Sequence, residues 1–276
     1  MVGKQEGGDE GSHTKSSLMW ETVRIIEQCI PKYVIWENVK SVLNKKHKHN
    51  FNKYITQLEE LGYSSTFKVL NADEYGIPQN RERLLVISIR KDLEDNFEFP
   101  TPVLLNKCLE DYVDRYVDDK YTVPEKVMNG YKNKKSVFRK RFLIKDLTDK
   151  AYCLTAKSGR AVITNNYLYA NFDTYKDKPC KNNDLDYIVD NNIPVRALTP
   201  LEYWRLQGYS DSDFYKAKEA LNDKFHKGKD KSDAQLYKQA GNSICVPVME
   251  AVFENLFGDR YRNIGNKQND KEEILV

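Results

Sequence analysis

The sequence is short of the features that would place it in a secreted, membrane-spanning or metal-binding class. Five cysteines, an odd number with no CxxC pair, indicate neither a disulfide framework nor a zinc site, and a reducing compartment fits best. No apolar run approaches the ~20 residues needed to cross a bilayer. The longest, such as Leu84 to Ile87, are strand-sized. The first sixteen residues are rich in Gly, Lys, Glu and Asp without an apolar segment, so they do not read as a signal peptide. Net charge is also small: 44 basic against 41 acidic residues leave +3 over 276, and only local clustering can announce a polyanionic partner. No internal repeat is visible. What is present is a polar chain, 40% hydrophobic, whose 18 Tyr, 11 Phe and 3 Trp argue against general disorder. The expectation is a soluble, cytoplasmic protein with no membrane partner and no metal site.

The apolar spacing gives the organisation. Met19, Val23, Ile26 and Ile30 fall on one face of a helix that Pro31 terminates. Tyr33 to Trp36 is an unbroken apolar run, as expected for a strand covered on both faces in a parallel sheet, and it ends in Glu37-Asn38-Val39. Polar groups just past such a strand sit where α/β sheets bind ligands. A second helix carries Phe51, Tyr54, Ile55, Leu58 and Leu61 and closes on Gly62 as a left-handed cap. Strands follow at Ser65 to Leu70 and Arg83 to Ile89. This order is the second half of a doubly wound α/β domain, without its first half.

Residues 100–195 lose the rhythm. Five prolines among short Tyr-, Asn- and Asp-rich pieces predict a second, irregular, mainly β domain. Between Tyr131 and Arg160 ten basic residues face two acidic ones, with Tyr131, Phe138, Phe142 and Tyr152 interleaved. Such a stretch is either a nucleic-acid surface, where cations neutralise phosphates and rings stack on bases, or an ordinary solvated face. Helices return at Thr199-Pro200-Leu201-Glu202, a capping box with proline at N1. Ser232 to Gln235 reads as a similar start. A last helix runs from Pro247 through Val248, Met249, Val252, Phe253 and Leu256 to Gly258, ahead of a polar tail.

Four segments, in order, resemble the DNA (cytosine-5) methyltransferases. PKYVIWENVK at 31–40 resembles the family's Glu-Asn-Val motif at a strand end, and NADEYGIPQNRER at 71–83 its Gln-x-Arg-x-Arg motif. PVRALTPLEYWRLQGYSD at 194–211 resembles the motif after the target-recognition domain, and QAGNSICVP at 239–247 the last motif. The resemblance covers about residues 1–257. It implies an α/β fold: an incomplete S-adenosylmethionine-dependent methyltransferase (Rossmann-like) sheet with a smaller, irregular mainly β target-recognition domain. The implied divisions are 1–99 for the second half of the catalytic domain, 100–195 for target recognition, 196–258 for the C-terminal motifs and returning helix, and 259–276 for a polar tail.

The implied chemistry is methyl transfer from S-adenosylmethionine to C5 of a cytosine flipped out of double-stranded DNA. Cytosine C5 is a poor nucleophile, so a cysteine thiolate adds to C6 and creates an enamine that takes the methyl group. By resemblance Glu37 holds or donates a proton at the N3 and N4 edge. Arg83, with Arg81 close by, stabilises charge near O2. Asn242 and Ser243 hydrogen-bond the cofactor, and Thr155, with Lys157 and Arg160 beside it, contacts DNA.

Two family elements are missing. Gly7, Gly8 and Gly11 follow no strand, so no cofactor loop is read there. The catalytic Pro-Cys is absent from its place before the glycine-rich start. Pro179-Cys180 lies in a polar stretch with no strand before it and reads as a coincidental loop cysteine; Cys29, Cys108, Cys153 and Cys245 read as core or near-core. No nucleophile is assigned. The expectation is therefore a split subunit, a gene fragment or a chain with a misplaced start, bearing an apolar strand edge at Tyr33 to Trp36 and completed by a segment that carries the cofactor loop and the Pro-Cys. The rival expectation is a catalytically inactive DNA-binding remnant.

Overall fold

A computed structural model describes residues 8–12, 17–132, 143–156, 166–171 and 185–268, with 259–268 as backbone only. The chain divides into two compact units. The first holds residues up to 71, 82–101 and 251 onward; the second holds 72–81 and 102–250.

The first unit is built on a three-stranded sheet. Helix α1 (Leu18–Cys29) ends at Ile30, which takes a left-handed conformation (φ 42°) ahead of Pro31. Strand β1 (Tyr33–Val39) follows, then α2 (Lys48–Glu60) and β2 (Tyr63–Asn71). Gly62 joins the last two at φ +89°, a conformation that side chains with a Cβ resist. Strand β4 (Glu82–Arg90) enters between β1 and β2, antiparallel to both. The parallel sheet expected around Tyr33 to Trp36 is thus replaced by antiparallel pairing. An apolar run reports burial on both faces, which either strand direction can satisfy.

Side chains alternate along β1, so its two faces meet different partners. Val34 and Trp36 pack with Met19, Trp20, Tyr54 and Leu58 of the two helices. On the other face Tyr33 meets Phe257 edge-on at 5.1 Å. Leu84 to Ile87 are at most 1% exposed, which makes the middle strand the spine of this unit. Strand β1 has one neighbour, β4, among the described strands.

The second unit contains β3 (Gln79–Asn80), α3 (Glu125–Tyr131), β5 (Ala151–Tyr152), β6 (Tyr167–Tyr169), α4 (Leu185–Asp190) and β7 (Val195–Ala197). It continues with α5 (Pro200–Arg205), α6 (Asp211–His226), α7 (Asp233–Asn242) and the start of α8 (Val246–Gln268). Among the described residues of 102–195 the strands are short: β5 pairs in parallel with β3, and β6 antiparallel with β7. The motifs of 196–258 divide between the units, with residues to Glu250 in the second and from Ala251 in the first. The Thr199 capping box forms, its hydroxyl accepting from the Glu202 amide and the Glu202 carboxylate accepting from the Thr199 amide. Ser232 begins α7 but caps nothing, because its backbone is helical (φ −86°, ψ −4°) and a cap needs an extended residue to turn its hydroxyl onto the first turn. Helix α8 continues past Gly258 to Gln268 into the expected tail. Of the cysteines read as core, Cys29 is exposed and only Cys245 is fully buried.

Candidate active site and its supporting residues

In the first unit, Glu37 and Arg83 share one end of the sheet. Val39 lies opposite Arg83 and Glu37 opposite Leu85, so Glu37 and Arg83 are diagonal neighbours on one face. Their side chains close the diagonal, with the Arg83 Nε 3.0 Å from the Glu37 Oε1. Arg83 also donates through Nη1 to the Glu82 carbonyl at 2.8 Å, which fixes the guanidinium plane. Both side chains remain reachable, at 26% exposure for Glu37 and 18% for Arg83. Glu82 is held by Lys40 at 2.6 Å, and the Asn38 carboxamide accepts from the Val39 amide at 2.8 Å, pinning the strand end. A carboxylate and a guanidinium side by side at a strand terminus can clamp a flat polar ring, one group at a proton-bearing edge and the other at a carbonyl.

The second unit holds Arg81, which the sequence placed beside Arg83 at the base. Its guanidinium goes elsewhere. It is 2% exposed and donates to the carbonyls of Leu154 (2.8 Å), Gly241 (3.2 Å) and Ser243. Two residues earlier Gln79, fully buried, accepts from the Leu154 amide at 3.1 Å and donates to the Leu206 carbonyl at 2.7 Å. The buried half of the Gln-x-Arg-x-Arg segment therefore ties together Leu154, the 206 turn and the end of α7. Gly241 lets them meet: a Cβ there would collide with the backbone of Thr155 and Ala156.

Around this knot lie the other expected residues. Asn242 is exposed at the end of α7. The Ser243 hydroxyl is 2.6 Å from the Tyr209 hydroxyl and 3.1 Å from the Ile244 carbonyl, an arrangement that orients it. An exposed carboxamide and an oriented hydroxyl suit the polar end of a cofactor. Thr155 is exposed, one residue beyond the carbonyl that Arg81 holds. Lys157, Arg160 and Cys180 lie outside the described residues. Cys245 is buried, and burial pushes its thiol up to about 11, so it is no thiolate at neutral pH. Among the described residues no group of His, Cys, Asp and Glu could hold a metal ion.

Two supporting features escaped the sequence reading. Arg196 and Glu202 form a fully buried bidentate pair, with bonds of 2.8 and 2.9 Å. Arg196 also donates to the Asp114 carbonyl, and Glu202 accepts from the Asp114 amide. The capping-box glutamate was legible, but its second role as a counterion was not. The buried amide of Gln79 was likewise not legible, since its neighbours Pro78, Asn80 and Arg81 carry no apolar pattern that would mark it as buried.

The sequence pattern of the C-5 cytosine-specific DNA methylases matches residues 1–258. The chain belongs to that family. Among its relatives, the type II methyltransferase M2.ScrFI of Lactococcus lactis subsp. cremoris is 36% identical over 93% of the chain, and M.SsoII of Shigella sonnei is 30% identical over 88%. The chain spans 63% and 57% of the length of these two methyltransferases. Among solved structures, the Schizosaccharomyces pombe Dnmt2 methyltransferase matches 89% of the chain at a TM-score of 0.65 and 18% identity, covering 71% of that protein. The Entamoeba histolytica methyltransferase EhMeth matches 89% at 0.61 and 20% identity. These likenesses confirm the methyltransferase fold. The Glu-Asn-Val segment ends β1 and Arg83 lies near the start of β4, the two strands that bring Glu37 to Arg83.

Proposed function

We propose that this chain provides the base-handling and target-recognition part of a DNA cytosine-5 methyltransferase. The observation that supports the reading is the Glu37–Arg83 pair, held at 3.0 Å at the end of β1 and β4 in a member of this family. Glu37 holds a proton at the N3 and N4 edge of a flipped cytosine, and Arg83 faces O2, where negative charge develops once a nucleophile has added to the ring. Before the base arrives each keeps the other in position. Arg81 is a positioning residue: it fixes the Thr155 segment, which meets DNA together with Lys157 and Arg160, against the end of α7. Asn242 and Ser243 hold the polar end of S-adenosylmethionine, which supplies the methyl group when bound.

The nucleophilic thiolate and the remainder of the cofactor site come from another segment, on this or a second polypeptide. That β1 has a single neighbour among the described strands supports this, because an apolar edge strand favours a further partner strand. The test is transfer of labelled methyl from S-adenosylmethionine to cytosine-containing DNA, with the chain alone and mixed with a methyltransferase segment bearing the glycine-rich loop and the Pro-Cys. Transfer only in the mixture is expected. Transfer by the chain alone would place the nucleophile within it and make Cys180 the candidate. DNA binding without transfer in either case would leave recognition as the chain's sole function.

A further inference from the structure

The stretch between α6 and α7, outside the segment that the family resemblance assigns to target recognition, is strongly and unevenly charged. From Lys224 to Lys238 the chain places five lysines (Lys224, Lys227, Lys229, Lys231 and Lys238) against two aspartates, and all five lysines are exposed. Both aspartates are engaged by other lysines. Asp230 accepts from Lys218 at 2.8 Å, and Asp233 lies 2.9 Å from Lys120. None of the five forms an ion pair among the described residues, and Lys224 sits 5.6 Å over the ring of Phe225, itself 63% exposed.

The position of this stretch gives it a direction. A groove of about 560 Å³ is lined by Phe225, His226, Lys231, Gln235 and Lys238 of this stretch together with Ala156. Ala156 follows Thr155 directly, and Gly241 presses on the backbone of both. The groove lining is therefore continuous in the chain with the loop expected to contact DNA. Lys231 and Lys238 line the same groove, and Lys224, Lys227 and Lys229 are exposed just before it in the chain, from the end of α6 through the turn.

Resting on the DNA-binding reading above, we infer that the α6–α7 turn is a second DNA contact, engaging the phosphate backbone of the duplex through Lys227, Lys229 and Lys231. It adds affinity without sequence preference, since flexible ammonium groups at an exposed turn neutralise phosphates and read no base edges. An acidic protein partner would need no continuity with Thr155, whereas a duplex lying on the recognition loop has phosphates on both sides of it.

The experiment measures binding of the full chain to a mixed-sequence duplex by fluorescence anisotropy across a salt series. Three proteins are compared: the unaltered chain, a triple variant with Lys227→Gln, Lys229→Gln and Lys231→Gln, and Lys216→Gln on the exposed side of α6 as a control. Each phosphate contact contributes about 0.9 to the slope of log K against log salt, so the triple variant should lose about 2 to 3 from that slope, and the control should lose nothing. An unchanged slope in the triple variant overturns the inference, as does an equal loss per lysine in the control, which would make the effect one of diffuse charge. Absence of salt-dependent binding by the unaltered chain would instead overturn the DNA-binding reading on which the inference rests. A urea midpoint for the triple variant equal to that of the unaltered chain establishes that it is folded; single variants at Lys227 and Lys229, each losing about 0.9, report the same effect if it is not.

Discussion

The Arg83 guanidinium lies 3.0 Å from the Glu37 carboxylate, across two antiparallel strands whose register sets the residues diagonally on one face. Neither residue meets the other through sequence proximity. β2 and β3 intervene in the chain between β1 and β4, and the pair exists only because β4 inserts next to β1.

Replacing the carboxylate tests its role. Glu37→Gln keeps the shape and loses the exchangeable acid, and a positioned acid or base contributes about 10²- to 10⁴-fold. Single-turnover methyl transfer by the completed enzyme should fall by that range while DNA affinity stays within a few-fold. Near-normal turnover would remove Glu37 from the chemistry.

Arg81 should behave as a structural clamp. Arg81→Met strips charged donors from the carbonyls of Leu154, Gly241 and Ser243, and hydrogen bonds to charged groups are worth about 1.5 to 3 kcal/mol each, non-additively. A loss of roughly 3 to 5 kcal/mol in urea unfolding is expected. A stable variant with an isolated defect in turnover would instead put Arg81 at the base.

Gly241 is tolerated only without a side chain. Gly241→Ala drives a methyl group into the backbone of Thr155 and Ala156, which cannot rotate away as a side-chain tip would. Overpacking of this kind costs about 1 to 3 kcal/mol. Calorimetry should show a lower Tm, and DNA binding should weaken because the Thr155 segment is displaced. An unchanged Tm would mean that α7 shifts freely against that segment.

Cys245 gives a pH dependence with a definite sign. Its thiol is pushed by burial from 9.0 to about 11, so above pH 9 the unfolded chain loses a proton that the folded chain keeps. Folding stability from this site is complete below pH 9 and declines as pH rises toward 11, by about 2 to 3 kcal/mol at 1.4 kcal/mol per pH unit. Unfolding of the chain and of Cys245→Ala at pH 8 and pH 11 should show the gap between them shrinking at the higher pH. A constant gap would show that the thiol is solvated in the folded state.

The sequence by itself determined the elements and the family. Apolar spacing located α1, α2, β1, β2 and β4, Gly62 marked the end of α2 and the Thr199 capping box the start of α5, because these signals are local: a helix face, a positive φ and a cap are each written within a few residues. It also singled out Glu37 and Arg83, each through a segment that resembles a motif of the family. Only the tertiary structure decided where those residues go. The antiparallel insertion of β4, the burial of Arg81 onto three distant carbonyls, the Arg196–Glu202 pair and the lysines gathered beside Ala156 all join residues far apart in the chain. Arginines two positions apart read alike in sequence. One becomes a clamp on carbonyls and the other pairs with a carboxylate because a guanidinium follows its nearest partners, and which carbonyls or carboxylates lie nearby is settled by packing.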